Sequence, residues 1–118
     1  MSDIILYHPE YELHEAIDHF LDEYHSAKMT RLASDLLAKG LEPREIVIAV
    51  RKAVTICRTA GIDTRRHFYP VYTQYEGANV KDCKLSPFGF KLVLLNGPEQ
   101  RPITAEFQLE LLRMFPDE

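Results

Sequence analysis

The sequence predicts an α+β fold, mostly helical, with about five helices and one β-hairpin. Three observations carry that prediction. Apolar residues recur at helical spacing in separate stretches over most of the chain. One central stretch, about Phe68 to Leu85, is instead rich in strand formers with turn residues in its middle. Prolines and glycines stand mainly at the edges of the helical stretches. At 118 residues, 46% apolar and 27% charged, the chain has the size and composition of one domain, 1–118, with one hydrophobic core.

The first helix is expected from about Pro9 to Tyr24. Proline suits a first turn, because its missing N–H has no helical partner there. Glu10 and Glu12 complement the positive end of the dipole, and Leu13, Ile17, Phe20, Leu21 and Tyr24 form the apolar stripe. A second helix is expected from about Thr30 to Lys39, with Leu32, Leu36 and Leu37 inward and Gly40 as its stop. The third, about Pro43 to Ala60, ends at Gly61. Its wide stripe of Ile46, Val47, Val50, Ala53, Val54 and Cys57 marks it as the central core helix.

Val71-Tyr72-Thr73-Gln74-Tyr75 then reads as a strand, Glu76-Gly77-Ala78-Asn79 as a turn, and Val80 to Leu85 as the returning strand. Ser86-Pro87 has the chemistry of an N-cap and a first helical position. Phe88, Leu92, Val93 and Leu95 follow, and Asn96-Gly97-Pro98 stops that helix. The last helix starts near Pro102, turns Ile103, Phe107, Leu111 and Met114 inward with Leu112 at the edge, and stops at Pro116.

The net charge of −4 is unevenly spread. Residues 1–25 hold seven acids and no Lys or Arg, a net of −7, whereas residues 26–118 hold all 14 basic residues against eleven acids, a net of +3. An acidic helix, 1–25, thus packs on or beside a mildly basic body, 29–115. No apolar run approaches the roughly 20 residues of a membrane span. Met1-Ser2-Asp3-Ile4-Ile5-Leu6 lacks the basic start of a signal peptide. Cys57 and Cys83 lack metal-site spacing. These observations place the chain in a reducing cytoplasm, without a membrane partner and with both thiols as small core residues.

Catalytic chemistry finds no support in the motifs. There is no G-x-S-x-G elbow, P-loop or G-x-G-x-x-G turn. His14 and His19 lie five residues apart, about 140° around a helix, so they cannot share one ion as the histidines of H-E-x-x-H do. Side-chain pairs of His14 with Asp18 and of Glu15 with His19 account for them more simply. No enzyme activity, metal or cofactor is expected.

The strongest local signal is basic. Arg44, Arg51 and Arg58 recur every seven residues, lining one stripe with steps of about 10 Å. Lys52, Thr55 and Thr59 share that broad face. Two successive helices around Gly40 also have a loose helix-turn-helix order, whose second helix meets phosphates or a groove. A second patch, Arg65-Arg66-His67-Phe68-Tyr69 with Tyr72, Tyr75, Lys81 and Lys84, interleaves cations with aromatics as base-stacking surfaces do. The solvated outer face of a core helix, and a hairpin whose tyrosines cover the core, have the same patterns.

From the third helix onward the chain resembles the N-terminal domain of the DNA-damage-inducible protein D family. The matching elements are Ala49-x-x-x-Ala53-x-x-x-Cys57-x-x-x-Gly61, His67-Phe68 with Val71, Gly77, Asp82-Cys83-Lys84-Leu85-Ser86, Asn96-Gly97, and Pro102-Ile103 leading to Gln108. The same layout is similar to the BRO-N domain of viral and phage proteins. The likeness covers about residues 29–115, and no catalytic residue carries over. It implies a small regulatory domain associated with nucleic acid, in DNA-damage or mobile-element biology. Arg44, Arg51, Lys52, Arg58, Arg65, Arg66, Lys81 and Lys84 are then the expected phosphate contacts. The alternative is a homodimeric protein-interaction module, in which the acidic first helix docks on a partner's basic face.

Overall fold

The computed structural model describes residues 9–115, with side chains from Glu12 onward apart from Tyr75. The expectations for Met1 to Leu6 and for Pro116 lie outside them. The described residues form four α-helices and one antiparallel sheet. Their order is α1 (Pro9–Ala27), β1 (Arg31–Leu32), α2 (Pro43–Thr59), β2 (Phe68–Tyr75), β3 (Ala78–Leu85), α3 (Pro87–Leu95) and α4 (Pro102–Arg113). Short 3-10 turns occupy Ala33–Leu37 and Thr64–Arg66. Proline opens α2, α3 and α4 with its φ already helical, and the preceding residue is extended in each case.

The helix expected over Thr30–Lys39 is not there, so the count is four rather than about five. Arg31 and Leu32 instead pair with Leu85 and Lys84, making β1 a third strand in the order β1-β3-β2. The local chemistry explains the difference. Leu32 N–H donates to Asp35 Oδ2 at 2.9 Å, and Ser34 N–H donates to Asp82 Oδ1 at 3.2 Å. Side-chain acceptors thus hold amides that a continuous helix would start from, and the chain tightens to a 3-10 turn. Leu36, fully buried, fastens that turn to the core.

The hairpin lies where expected but is longer: β2 starts at Phe68 rather than Val71, and Ala78 and Asn79, expected in the turn, pair with Tyr75 and Gln74 as the start of β3. Its loop is the two residues Glu76 and Gly77, with φ of 50° and 82°. Positive φ at both is what a type I′ turn requires, and glycine meets it without steric cost. Because side chains alternate along a strand, Phe68 and Leu85 share one face and Tyr69 and Lys84 the other.

Leu85 closes the core against α2 and α3. Ala49, Ala53 and Cys57 form the buried line of α2, and their small side chains let Val93 and Leu94 of α3 approach. The buried stripe is narrower than expected: Val50 and Val54 are only half-buried, and Val47 stands exposed. In α4, Ile103 and Phe107 pack on the core while Met114 is 74% exposed. The inward turn expected for Met114 fails because α4 ends at Arg113, and Met114 is its C-cap residue, past the last turn that packs on the core. Phe88 is also exposed; Phe90 and Leu94 take the inward positions on α3 instead.

Ser86 caps α3 as its sequence requires. Its Oγ accepts from Gly89 N–H at 2.9 Å and lies 2.7 Å from His67 Nδ1, while Ser86 N–H donates to the His67 carbonyl at 3.0 Å. Gly89 is needed there, since a Cβ would sit 2.6 Å from the same carbonyl oxygen.

Candidate functional site: an apolar cleft and a basic helix face

Two surfaces stand out, and α2 contributes to both. The outward face of α2 carries Arg44, Arg51 and Arg58, all exposed, on the side opposite Ala49, Ala53 and Cys57. The acids nearest the start of the stripe are engaged elsewhere. Arg101, just before α4, donates to Glu45 at 2.9 and 3.2 Å and to Glu42 at 3.4 Å. Glu45 also accepts the Glu42 N–H at 2.9 Å, and this backbone bond, then Arg101, holds its carboxyl below the usual range. Arg44, Arg51 and Arg58 therefore have no ion-pair partner among the described residues.

The second surface is a cleft of ≈ 710 Å³ between α2, the 3-10 turn after β1, and the outer half of the hairpin. Leu32, Leu37, Ile46, Val47, Val50 and Val80 make its walls apolar, and Arg51 and Lys81 line it as cations. Asp82 also lines it, but its carboxylate is already used. It accepts from Ser34 N–H, from Cys83 N–H at 2.7 Å and from Thr73 Oγ1 at 3.4 Å. Counting Arg51, Lys81 and Asp82 together, the cleft lining carries a net charge of +1, and neither cation is ion-paired among the described residues.

The eight expected phosphate contacts do not form one surface. Arg44, Arg51, Arg58 and Lys52 share the exposed side of α2, and Lys81 joins Arg51 in the cleft. Arg65 is instead held by Asp63 at 3.4 Å and by Asp18 of α1 at 3.7 Å, so its guanidinium fastens α1 to the body. Lys84 lies 3.5 Å from the Ser26 carbonyl and 3.4 Å from its hydroxyl, a second tie to α1. Arg66 is exposed in the turn before β2. The expected helix-turn-helix order is absent, because β1 and its 3-10 turn occupy the place of the first helix.

The apolar stripe of α1 is the feature the sequence pattern misplaced. Leu13 is 63% and Phe20 64% exposed, with Ile17 and Tyr24 also open to solvent. The side of α1 that meets the body carries Asp18, Leu21, Asp22, His25 and Ser26. At 100° per residue, the stripe lies about 140° around the helix from that side. His19 pairs with Glu23 at 3.2 Å rather than with Glu15.

The cleft itself was invisible in the linear pattern. Its one sequence signal is the width of the α2 stripe: Val47 and Val50 extend it beyond what the core line of Ile46, Ala49, Ala53 and Cys57 needs.

Among the described residues no three His, Cys, Asp or Glu side chains gather as a metal would need, and no helix is long and apolar enough to cross a membrane. Burial pushes the Cys57 thiol up, and burial, then the Asp82 charge, pushes up Cys83 despite a backbone hydrogen bond from Tyr69. A thiol pushed up is the reverse of the lowered one that a nucleophilic cysteine needs. No protein-family model, curated protein or solved structure matches the chain.

Proposed function

We propose that this chain is a protein-interaction module that self-associates. One observation carries the reading: among the described residues, α1 turns its apolar stripe away from the fold, while no side chain fills the apolar cleft beside α2. Apolar stripes of this kind are commonly interaction surfaces. Sedimentation equilibrium over a concentration series tests it. A mass rising from one chain toward two supports the reading; a single-chain mass throughout overturns it.

A second reading, nucleic-acid association as the family resemblance implies, is favoured by the arginine stripe whose neighbouring acids are claimed by Arg101. Its proposed contacts are reduced to Arg44, Arg51, Lys52, Arg58 and Lys81, with Arg66 at the margin, all to phosphates rather than base edges. Fluorescence polarisation of labelled DNA over a salt series reads it. The double variant Arg51→Ala/Arg58→Ala is expected to bind more weakly with a slope shallower by up to about 2. An unchanged isotherm would remove the α2 face.

A further inference from the structure

We infer that the occupant of the α2–hairpin cleft is α1 of a second copy of this chain. The inference rests on the self-association reading and adds where the contact forms. Shape comes first. The exposed anchors Leu13, Ile17, Phe20 and Tyr24 are spaced four, three and four residues apart, the repeat of a helix laid into a groove. From Leu13 to Tyr24 the stripe is about 16 Å long, close to the about 12 Å of α2 from Pro43 to Arg51 that walls the cleft.

Charge selects the occupant. Residues 1–25 carry a net of −7 and residues 26–118 a net of +3. Two such acidic helices laid side by side repel each other. Glu12 and Glu23 flank the apolar stripe, whereas Arg51 and Lys81 line the cleft without acidic partners among the described residues. Seating α1 in the cleft joins the two unmatched apolar surfaces and the two unmatched charges in one contact.

The chain's own α1 cannot provide it in this seating. Asp18 on Arg65 and Ser26 on Lys84 hold the opposite side of α1 against the body, and the stripe points outward. Exchanged reciprocally about a two-fold axis, α1 into cleft and cleft onto α1, the contact closes as a dimer; passed head to tail it would give a larger ring or an open filament.

Two double variants test this by analytical ultracentrifugation, alone and mixed. Ile17→Glu/Phe20→Glu spoils α1 and leaves the cleft intact. Val47→Glu/Val80→Glu spoils the cleft and leaves α1 intact. All four positions are exposed, so each chain should keep the circular dichroism of the parent. Each variant alone is expected to associate at least about 30-fold more weakly. An equimolar mixture is expected to regain association, because one intact α1 then meets one intact cleft. A cleft variant that dimerises as tightly as the parent, or a mixture that stays as weak as its components, overturns the cleft assignment while self-association stands. A parent chain that is monomeric throughout overturns both. If either variant fails to fold, the charge pair Arg51→Glu/Lys81→Glu mixed with Glu12→Lys/Glu23→Lys makes the same reciprocal comparison, with the same two outcomes.

Discussion

α1 and α2 are written in nearly the same way and end in opposite circumstances. Both start on proline, both carry acids in the first turn, and both repeat apolar residues at helical spacing. In α2 the line Ile46, Ala49, Ala53 and Cys57 is buried under α3 and the sheet. In α1 the line Leu13, Ile17, Phe20 and Tyr24 stands in solvent. An amphipathic pattern states that a face needs covering; it does not state what covers it. α2 gets its cover from both directions along the chain, from Ala33 and Leu36 of the 3-10 turn before it and from α3 after it. α1 is turned away from the body by two polar ties, Asp18 to Arg65 and Ser26 to Lys84.

The largest difference between the two helices should appear in stability. Leu85→Ala, beneath α2 in the core, is expected to cost about 2–5 kcal/mol in chemical denaturation. A loss below 1 kcal/mol there would mean that the α2 side of the molecule is not the tightly packed one. Ser86→Ala is expected to be smaller, about 1–2 kcal/mol, since it removes the α3 cap and leaves the Gly89 amide unpaired. Ser86→Thr, which keeps a hydroxyl, should recover part of that loss.

A smaller effect should follow pH. Burial first, then the nearby charges of Arg66 and His25, hold the His67 imidazole below its ordinary value, with Asp63 opposing. The folded state therefore prefers the neutral ring beside Ser86. Its contribution is complete above the unfolded value of about 6.5 and is lost as pH falls from there through the lowered folded value. Thermal melts between pH 7.5 and 5 should show this decline, and His67→Asn should flatten that share of it. Unchanged curves for the variant would place the pH dependence elsewhere.

The smallest expected effect belongs to α1. Leu13→Ala and Ile17→Ala should each change the stability of the dilute chain by less than about 0.5 kcal/mol, because exposed side chains have little burial to lose. A loss near 2 kcal/mol at low concentration would show that the stripe is covered within one chain, and the contrast with α2 would fall.

Local chemistry explains which elements were readable. The Ser86 cap, the Glu76-Gly77 turn and the small-residue face of α2 depend on neighbours within a few residues, so their pattern is complete in the linear sequence. The Thr30–Lys39 stretch was misread because the deciding partners are distant: Asp82 takes the Ser34 amide, and β3 pairs with Arg31 and Leu32. The basic patch divided for the same reason. Arg65 and Lys84 were drawn into ties with α1, and Arg51 and Lys81 were brought together across the cleft.

By itself, then, the sequence determined the helical periods, the caps, the hairpin and the separation of an acidic first helix from a basic remainder, since each follows from side-chain spacing and short-range hydrogen bonds. Only the tertiary structure decided the third strand, the apolar cleft and the outward turn of α1. Those depend on groups brought together from separate elements, such as Ser34 with Asp82 and Ser26 with Lys84, where several elements compete for one partner and linear spacing carries no record of which one wins.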